Sequence, residues 1–362
     1  MLAAHEAERR RLDQLNSQIP RLERLLVLLH RERRALKYRV DAYQYPVVTL
    51  PTELVVEIFM NFLPPYPECP PHFGIESPVT LTHICSRWRE IALATPRLWR
   101  AVQLHRALMP RDLDAIWLDR SGSYPLAIEL DTRFWGVRTN PPPGSGEILS
   151  AISLYRNRWE YLDLSFCHVE APILEGPMPI LRQVKVVTPD FQGTLDFRDA
   201  PLLDSASCDV ITVNVVAFPW TQLTSLHLFE IAFYHAYYEI KKAFNLVYCN
   251  LDLNTMDDQD EVSDLGPRIE LPHLKALRMQ PDSRTKMDYL DIFTLPALSH
   301  LDIDEGLLGP DPIAALTTFV SRCGCPLQYV RITSNEMLVS GNVYRTTFPS
   351  IQQFVFEDAD WH

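Results

Sequence analysis

Nowhere in the 362 residues does an uninterrupted apolar run reach the roughly 18–20 residues that span a bilayer, so no membrane helix is expected. The charged-then-apolar order of a secretion signal is missing too. Glu6, Glu8, Arg9, Arg10 and Arg11 stand where the apolar stretch would begin. A basic surplus is lacking. The formal net charge of −12 argues against a nucleic-acid binder, because neutralising phosphates takes clustered Lys and Arg. The seven cysteines form no metal or redox pattern. The one close pair, Cys323 and Cys325, has a single residue between its members instead of the two of a zinc knuckle or redox motif. Cys85, Cys167, Cys208 and Cys249 sit among apolar residues and read as buried free thiols, which points to a reducing compartment, cytoplasm or nucleus.

Catalytic signatures are also absent from the sequence. There is no Gly-x-Ser-x-Gly elbow and no His-Glu-x-x-His. Asp257, Asp258, Asp260, Glu261 and Asp264 lack the sixth-position glycine and closing glutamate of a calcium loop, and read as a solvated acidic loop. Asp302, Asp304 and Glu305 resemble a metal-carboxylate cluster, but alternation places the first two on the same strand face as the other spacers, and surface charge is the expected role. Gly144-Ser145-Gly146 lacks the downstream glycine of a dinucleotide loop and reads as a flexible turn. No nucleophile is accompanied by a base, so no enzymatic activity, metal or cofactor is expected.

What the chain does have is length for two or three units and a 47% hydrophobic composition, enough for a sizeable core. Residues 1–44 carry a heptad seam: Leu12, Leu15, Ile19, Leu22, Leu26, Leu29, Arg33, Leu36 and Val40. Pro20 suits a first helical position, so the main helix is expected from about Pro20 to Ala42, with a weaker or kinked one before it. The seam fits either a helix laid on its own protein or a dimer contact. With Arg33 in it, self-association should be weak or absent.

From Tyr45 to Trp99 a small helical unit is expected. Thr49-Leu50-Pro51-Thr52-Glu53 is a helix start, with Leu54, Ile58, Phe59 and Phe62 on one face. A proline-rich stretch, 64–78, leads to a second helix beginning at Ser77-Pro78, striped by Leu81, Ile84, Cys85, Trp88 and Ile91 and ended by Thr95-Pro96. Fewer than 60 residues cannot bury all these large apolar groups internally, so some must be covered by a partner or by the domain that follows.

Residues 100–362 are repetitive. A leucine, two spacers and two apolar residues flanking one spacer recur from Trp159, Leu181, Leu203, Leu223, Leu246, Leu274, Leu298, Leu327 and Ile351, at spacings of 20 to 29. The flanked position is polar in eight of nine cases (Val355 is the exception), so the pattern predicts short strands with one face inward and one outward. Two earlier strands, Trp99–Leu104 and Pro125–Leu130, should begin the stack. Returning helices are expected at Gly146–Asn157, His235–Leu246 and Asp311–Arg322. The asparagine ladder of regular leucine-rich repeats is missing.

Residues 45–99 resemble the F-box: Leu50-Pro51, Glu53-Leu54, Ile58-Phe59, Leu63-Pro64, Leu81, Ile84-Cys85, Arg87-Trp88-Arg89, Ile91-Ala92, Pro96 and Leu98-Trp99 stand in the family's order. The insert Tyr66 to Ser77 departs from it. With the heptad helix and the repeats, the chain is similar to the large F-box families of mushroom-forming fungi. The resemblance implies an α/β chain with an N-terminal helix, a small all-α F-box and a leucine-rich-repeat-like α/β solenoid, a horseshoe. It also implies a non-enzymatic substrate receptor of an SCF-type ubiquitin ligase, or a scaffold acting outside one. A Skp-type adaptor and cullin are the implied partners, with Leu50, Pro51, Leu54, Ile58, Phe59, Leu81, Ile84, Cys85 and Trp88 facing the adaptor. A protein substrate of unknown identity should meet the concave strand face at Tyr161, Asp163, Lys185, His227, Tyr248, Asn250, Arg278, His300, Asp302, Tyr329 and Arg331.

Overall fold

The computed structural model describes residues 2–42, 49–104, 113–131, 150–166, 176–188, 193–254, 266–281, 287–334 and 337–357. They fall into two compact units, Met1–Ile58 and Phe59–His362. The division therefore lies inside a helix, whereas the sequence blocks meet at 44/45 and 99/100.

In the first unit, α1 spans Leu2–Asp41 without interruption and contains Pro20, which corrects the expected start near that proline. Proline forfeits one hydrogen bond and crowds the preceding turn, at about 3 kcal/mol. The leucines, arginines and glutamates on both sides are strong helix formers and carry the helix through it. Every side chain from His5 to Ala42 is exposed. Leu25 to Leu29 form an unbroken exposed apolar run, wider than a heptad seam. α2, Thr52–Phe62, has Glu53 in its first turn, where the helix dipole favours an acid, and it crosses into the second unit.

The second unit begins with short helices. Ser77 caps α3, Pro78–Ile84, by accepting the Val79 N–H. The single helix expected from here to Thr95 is broken at Cys85, which is extended (φ −156, ψ 168) and whose Sγ accepts the Trp88 N–H. This starts α4, Ser86–Leu93. The break leaves Ile84 exposed while Leu81 and Ile91 are buried. Phe59 packs edge-on to Trp88 at 5.0 Å. The turn Pro96–Trp99 buries Trp99, whose Nε1 donates to Ala92 O at 2.9 Å. Its ring meets Trp117, on the helix Leu113–Arg120, at 4.9 Å, and Trp117 meets His72 at 4.7 Å. These rings knit the short helices and the insert to the first strand crossover.

The core of the unit lies under an eleven-stranded parallel sheet whose neighbours in space are neighbours in sequence. Its strands are β1 (Ala101–Leu104), β2 (Leu126–Asp131), β3 (Trp159–Ser165), β4 (Gln183–Val187), β6 (Ser205–Asp209), β8 (Ser225–Ile231), β9 (Tyr248–Leu253), β11 (Ala276–Pro281), β13 (His300–Asp304), β14 (Tyr329–Thr333) and β15 (Gln353–Glu357). The connections contribute two small pairs, β5 (Leu195–Asp196) with β7 (Val216–Ala217) and β10 (Ile269–Glu270) with β12 (Phe293–Thr294).

The register follows the sequence template. Leu162, Val184, Ala206, Leu226, Cys249, Leu277, Leu301, Val330 and Phe354 align across the sheet. All template positions are buried except Phe356, which is half-buried. Each large apolar side chain buried this way contributes about 1.5–3 kcal/mol. β8 carries one extra residue against β9, with Glu230 at φ 51 forming the bulge.

The returning segments are less helical than expected. In place of Gly146–Asn157 there is a turn of helix at 150–153 and a 3-10 turn, Arg156–Arg158, with 146–149 outside the described residues. In place of His235–Leu246 there is Phe233–Ile240. Asp311 caps Pro312–Cys323, close to expectation, and Gly324 at φ 60 ends it in the left-handed region glycine tolerates.

Candidate interaction surfaces

The residues expected to face an adaptor divide by exposure. In the first unit, Leu54 and Ile58, one turn apart on α2, are 52% and 44% exposed; Pro51 is exposed and Leu50 half-buried. In the second, Ile84 is 55% exposed, and Cys85 and Trp88 are half-buried. Phe59 and Leu81 are buried. They hold the core together and present no surface, which corrects the expectation for these two.

The residues expected to face a substrate lie on the sheet face opposite the core, in two adjacent rows. Tyr161, Tyr248, His300 and Tyr329 share the first, at the start of the strands. Asp163, Lys185, His227, Asn250, Arg278, Asp302 and Arg331 share the second. The basic side chains of the second row are already engaged. Lys185 Nζ meets Asp163 at 2.9 Å, and His227 Nε2 meets Asp252 at 2.7 Å. Arg331 and Arg278 reach Asp302 at 3.2 and 3.7 Å, and Arg331 also pairs with Glu357. Gln280 donates from Nε2 to Asp302 at 3.1 Å and accepts the Thr333 hydroxyl at Oε1. Burial lifts the Asp302 carboxyl above its ordinary range, and the two guanidiniums oppose that shift. Asn250 Oδ1 and Ser207 Oγ are buried atoms with no hydrogen-bond partner among the described residues. In the first row, His300 stacks on Tyr329 at 5.8 Å, while Tyr248 stays 55% exposed.

Several residues of this face escaped the sequence pattern. Asp252, Gln280, Thr333 and Glu357 lie two positions beyond the flanked spacer, so simple continuation of the alternation reaches them. The insert had no such signal. Tyr66 donates its hydroxyl to Glu160 at 2.8 Å, sets its ring against Tyr161 at 5.5 Å, and lies under the Arg100 guanidinium at 3.6 Å. Burial and the Glu160 hydrogen bond raise the Tyr66 phenol well above its ordinary value. Cys69 donates to Ala127 O at 3.5 Å, and burial pushes its thiol up to about 12. The insert thus covers the outward face of β1–β3, which is why Ala101 and Ala127 are buried on the side away from the core.

The carboxylates expected at the surface near the end of the sheet are internal. Asp304 is buried and accepts from Gly306 N at 2.8 Å. Glu305 is fully buried and accepts from Val339 N at 3.1 Å, from the Tyr344 hydroxyl at 2.9 Å and from Leu338 N. Among the cysteines, Cys208 and Cys249 are buried free thiols, Cys249 pushed up to about 12 by burial. Cys85 is half-exposed, contrary to expectation. Cys167, Gly144–Gly146 and the acidic loop Asp257–Asp264 lie outside the described residues. Among those described, no three His, Cys, Asp or Glu side chains could hold a metal ion, and no helix is long and apolar enough to cross a membrane. No protein-family model matches the chain, and no curated protein matches it.

Proposed function

We propose that the chain is the substrate-recognition subunit of an SCF-type ubiquitin ligase, with an F-box that binds a Skp-type adaptor and a leucine-rich-repeat-like solenoid that captures a protein. The observation that carries the adaptor half is the exposure of Leu54 and Ile58 in the first unit and, separately, of Ile84 in the second, where Phe59, Leu81, Leu98 and Trp99 are buried. Apolar groups left open on an otherwise packed segment call for a cover. The capture half is supported by one parallel strand per repeat of 20 to 29 residues, an arrangement that stacks outward side chains into rows.

The test is Leu54→Ala with Ile58→Ala. Covering the open half of two such side chains contributes roughly 1.5–3 kcal/mol, so affinity for the adaptor should fall at least about tenfold. Thermal stability should stay near wild type, since both groups are exposed in the free protein. Undiminished adaptor binding by the double variant would refute the assignment.

A further inference from the structure

The insert shows what the outward face of this sheet holds. It is a proline-rich segment, Pro64-Pro65-Tyr66-Pro67 followed by Glu68-Cys69-Pro70-Pro71, seated on the first three strands. Its seat has three parts: a tyrosine in the first outward row (Tyr161), alanines beside it in the same row (Ala127 and Ala101), and a cation immediately before that row (Arg100). Small side chains let the backbone of the insert approach, Tyr161 gives its aromatic ring an edge to pack on, and the guanidinium lies over the ring face.

Parts of the same three kinds recur further along the same row in a different order, with small residues on both sides of the tyrosine and the cation before the adjacent strand. Tyr248 on β9 is the row's next tyrosine; Ser225 on β8 and Ala276 on β11 flank it, and Lys275 stands immediately before Ala276, as Arg100 stands before Ala101. Neighbouring strands lie about 4.8 Å apart, so one aromatic ring placed beside Tyr248 comes within reach of the strand that Lys275 precedes. Unlike Tyr161, Tyr248 is 55% exposed and has no ring or side-chain hydrogen-bond partner among the described residues. Lys275 is exposed as well.

We propose that β8, β9 and β11 form a second seat of the kind the insert fills on β1–β3, and that its occupant is an extended proline-containing segment of the captured protein bearing an aromatic side chain. The inference rests on the capture role proposed above and narrows it to a substrate class. The aromatic ring packs against Tyr248, Lys275 lies over it, and the prolines run across Ser225 and Ala276.

The probe is a fluorescently labelled synthetic peptide of residues 63–72 carrying Cys69→Ser, titrated into the full chain and followed by anisotropy. Because the native insert already fills the first seat, the free peptide reports on the second. Saturable binding is expected, weakened at least about tenfold by Tyr248→Ala in the protein and equally by Tyr66→Ala in the peptide. Lys275→Glu should weaken it less. The Leu54→Ala, Ile58→Ala variant should bind the peptide as wild type does, and Tyr248→Ala should bind the adaptor normally, so failure of this seat and failure of the ligase role give different results. Absence of saturable binding overturns the proposal. So does binding that survives Tyr248→Ala but is lost with Tyr161→Ala, since the peptide would then be displacing the insert.

Discussion

Glu305 offers the sharpest test of how the last repeats are held. Its carboxylate is fully buried and receives three donors: the Leu338 and Val339 amides and the Tyr344 hydroxyl, itself fully buried. Glu305→Gln keeps the volume, but its amide group turns donors towards donors. Hydrogen bonds to a charged acceptor contribute about 1.5–3 kcal/mol each, and a buried donor left unpaired costs about 1–3 kcal/mol. The two amides belong to an exposed residue and a half-buried one and can turn to water, whereas the Tyr344 hydroxyl cannot. The expected loss is therefore about 2–4 kcal/mol, weighted towards that one hydroxyl. Tyr344→Phe should cost less, because it removes the donor with its need. The double variant should cost clearly less than the sum of the two single changes. Chemical denaturation of the four proteins gives these energies, and amide exchange at 338–344 reports whether the last repeat opens alone. A Glu305→Gln variant within about 0.5 kcal/mol of wild type, with unchanged exchange there, would refute the clamp.

Two further expectations concern Asp304 and α1. Burial holds the Asp304 carboxyl above its ordinary value, with the Gly306 amide opposing the shift and the charge of Glu305 adding to it. The folded state therefore binds that proton more tightly than the unfolded chain, and stability falls as pH rises from the ordinary aspartate range through the raised value. Asp304→Asn keeps an oxygen for Gly306 and never ionises, so its stability relative to wild type should increase as pH is taken from 4 to 7; a difference that shrinks over that range contradicts the burial argument. For α1, Arg33 in the seam should keep self-association weak, and a tight, salt-insensitive dimer in sedimentation, lost on deleting residues 1–42, would show the exposed run Leu25–Leu29 overriding it.

The strands were legible in the sequence because two local periods coincide in each repeat: alternation along the strand and recurrence of the template every 20 to 29 residues. Parallel neighbours with matching templates must align, so the outward rows followed from the sequence. What stayed hidden depends on contacts without a period. Tyr66 meets Glu160 across 94 positions, and no spacing in the chain announces it. Cys85 looks like another member of a helical stripe until its thiol is seen capping the next helix. Asp304 and Glu305 look like surface charge because their donors arrive from the following turns. Pro20 misled in the other direction, since a rule about single residues was outweighed by the leucines, arginines and glutamates on both sides of it.

The central claim, that this chain recruits a ligase core, is met most directly by purifying the tagged full-length protein from cells and probing for a Skp-type adaptor and a cullin. Both are expected with wild type, and both should be lost with Leu54→Ala, Ile58→Ala. An adaptor without a cullin would turn the reading to a scaffold outside the ligase. Recovery of neither protein, or of both at undiminished yield with the double variant, would contradict it.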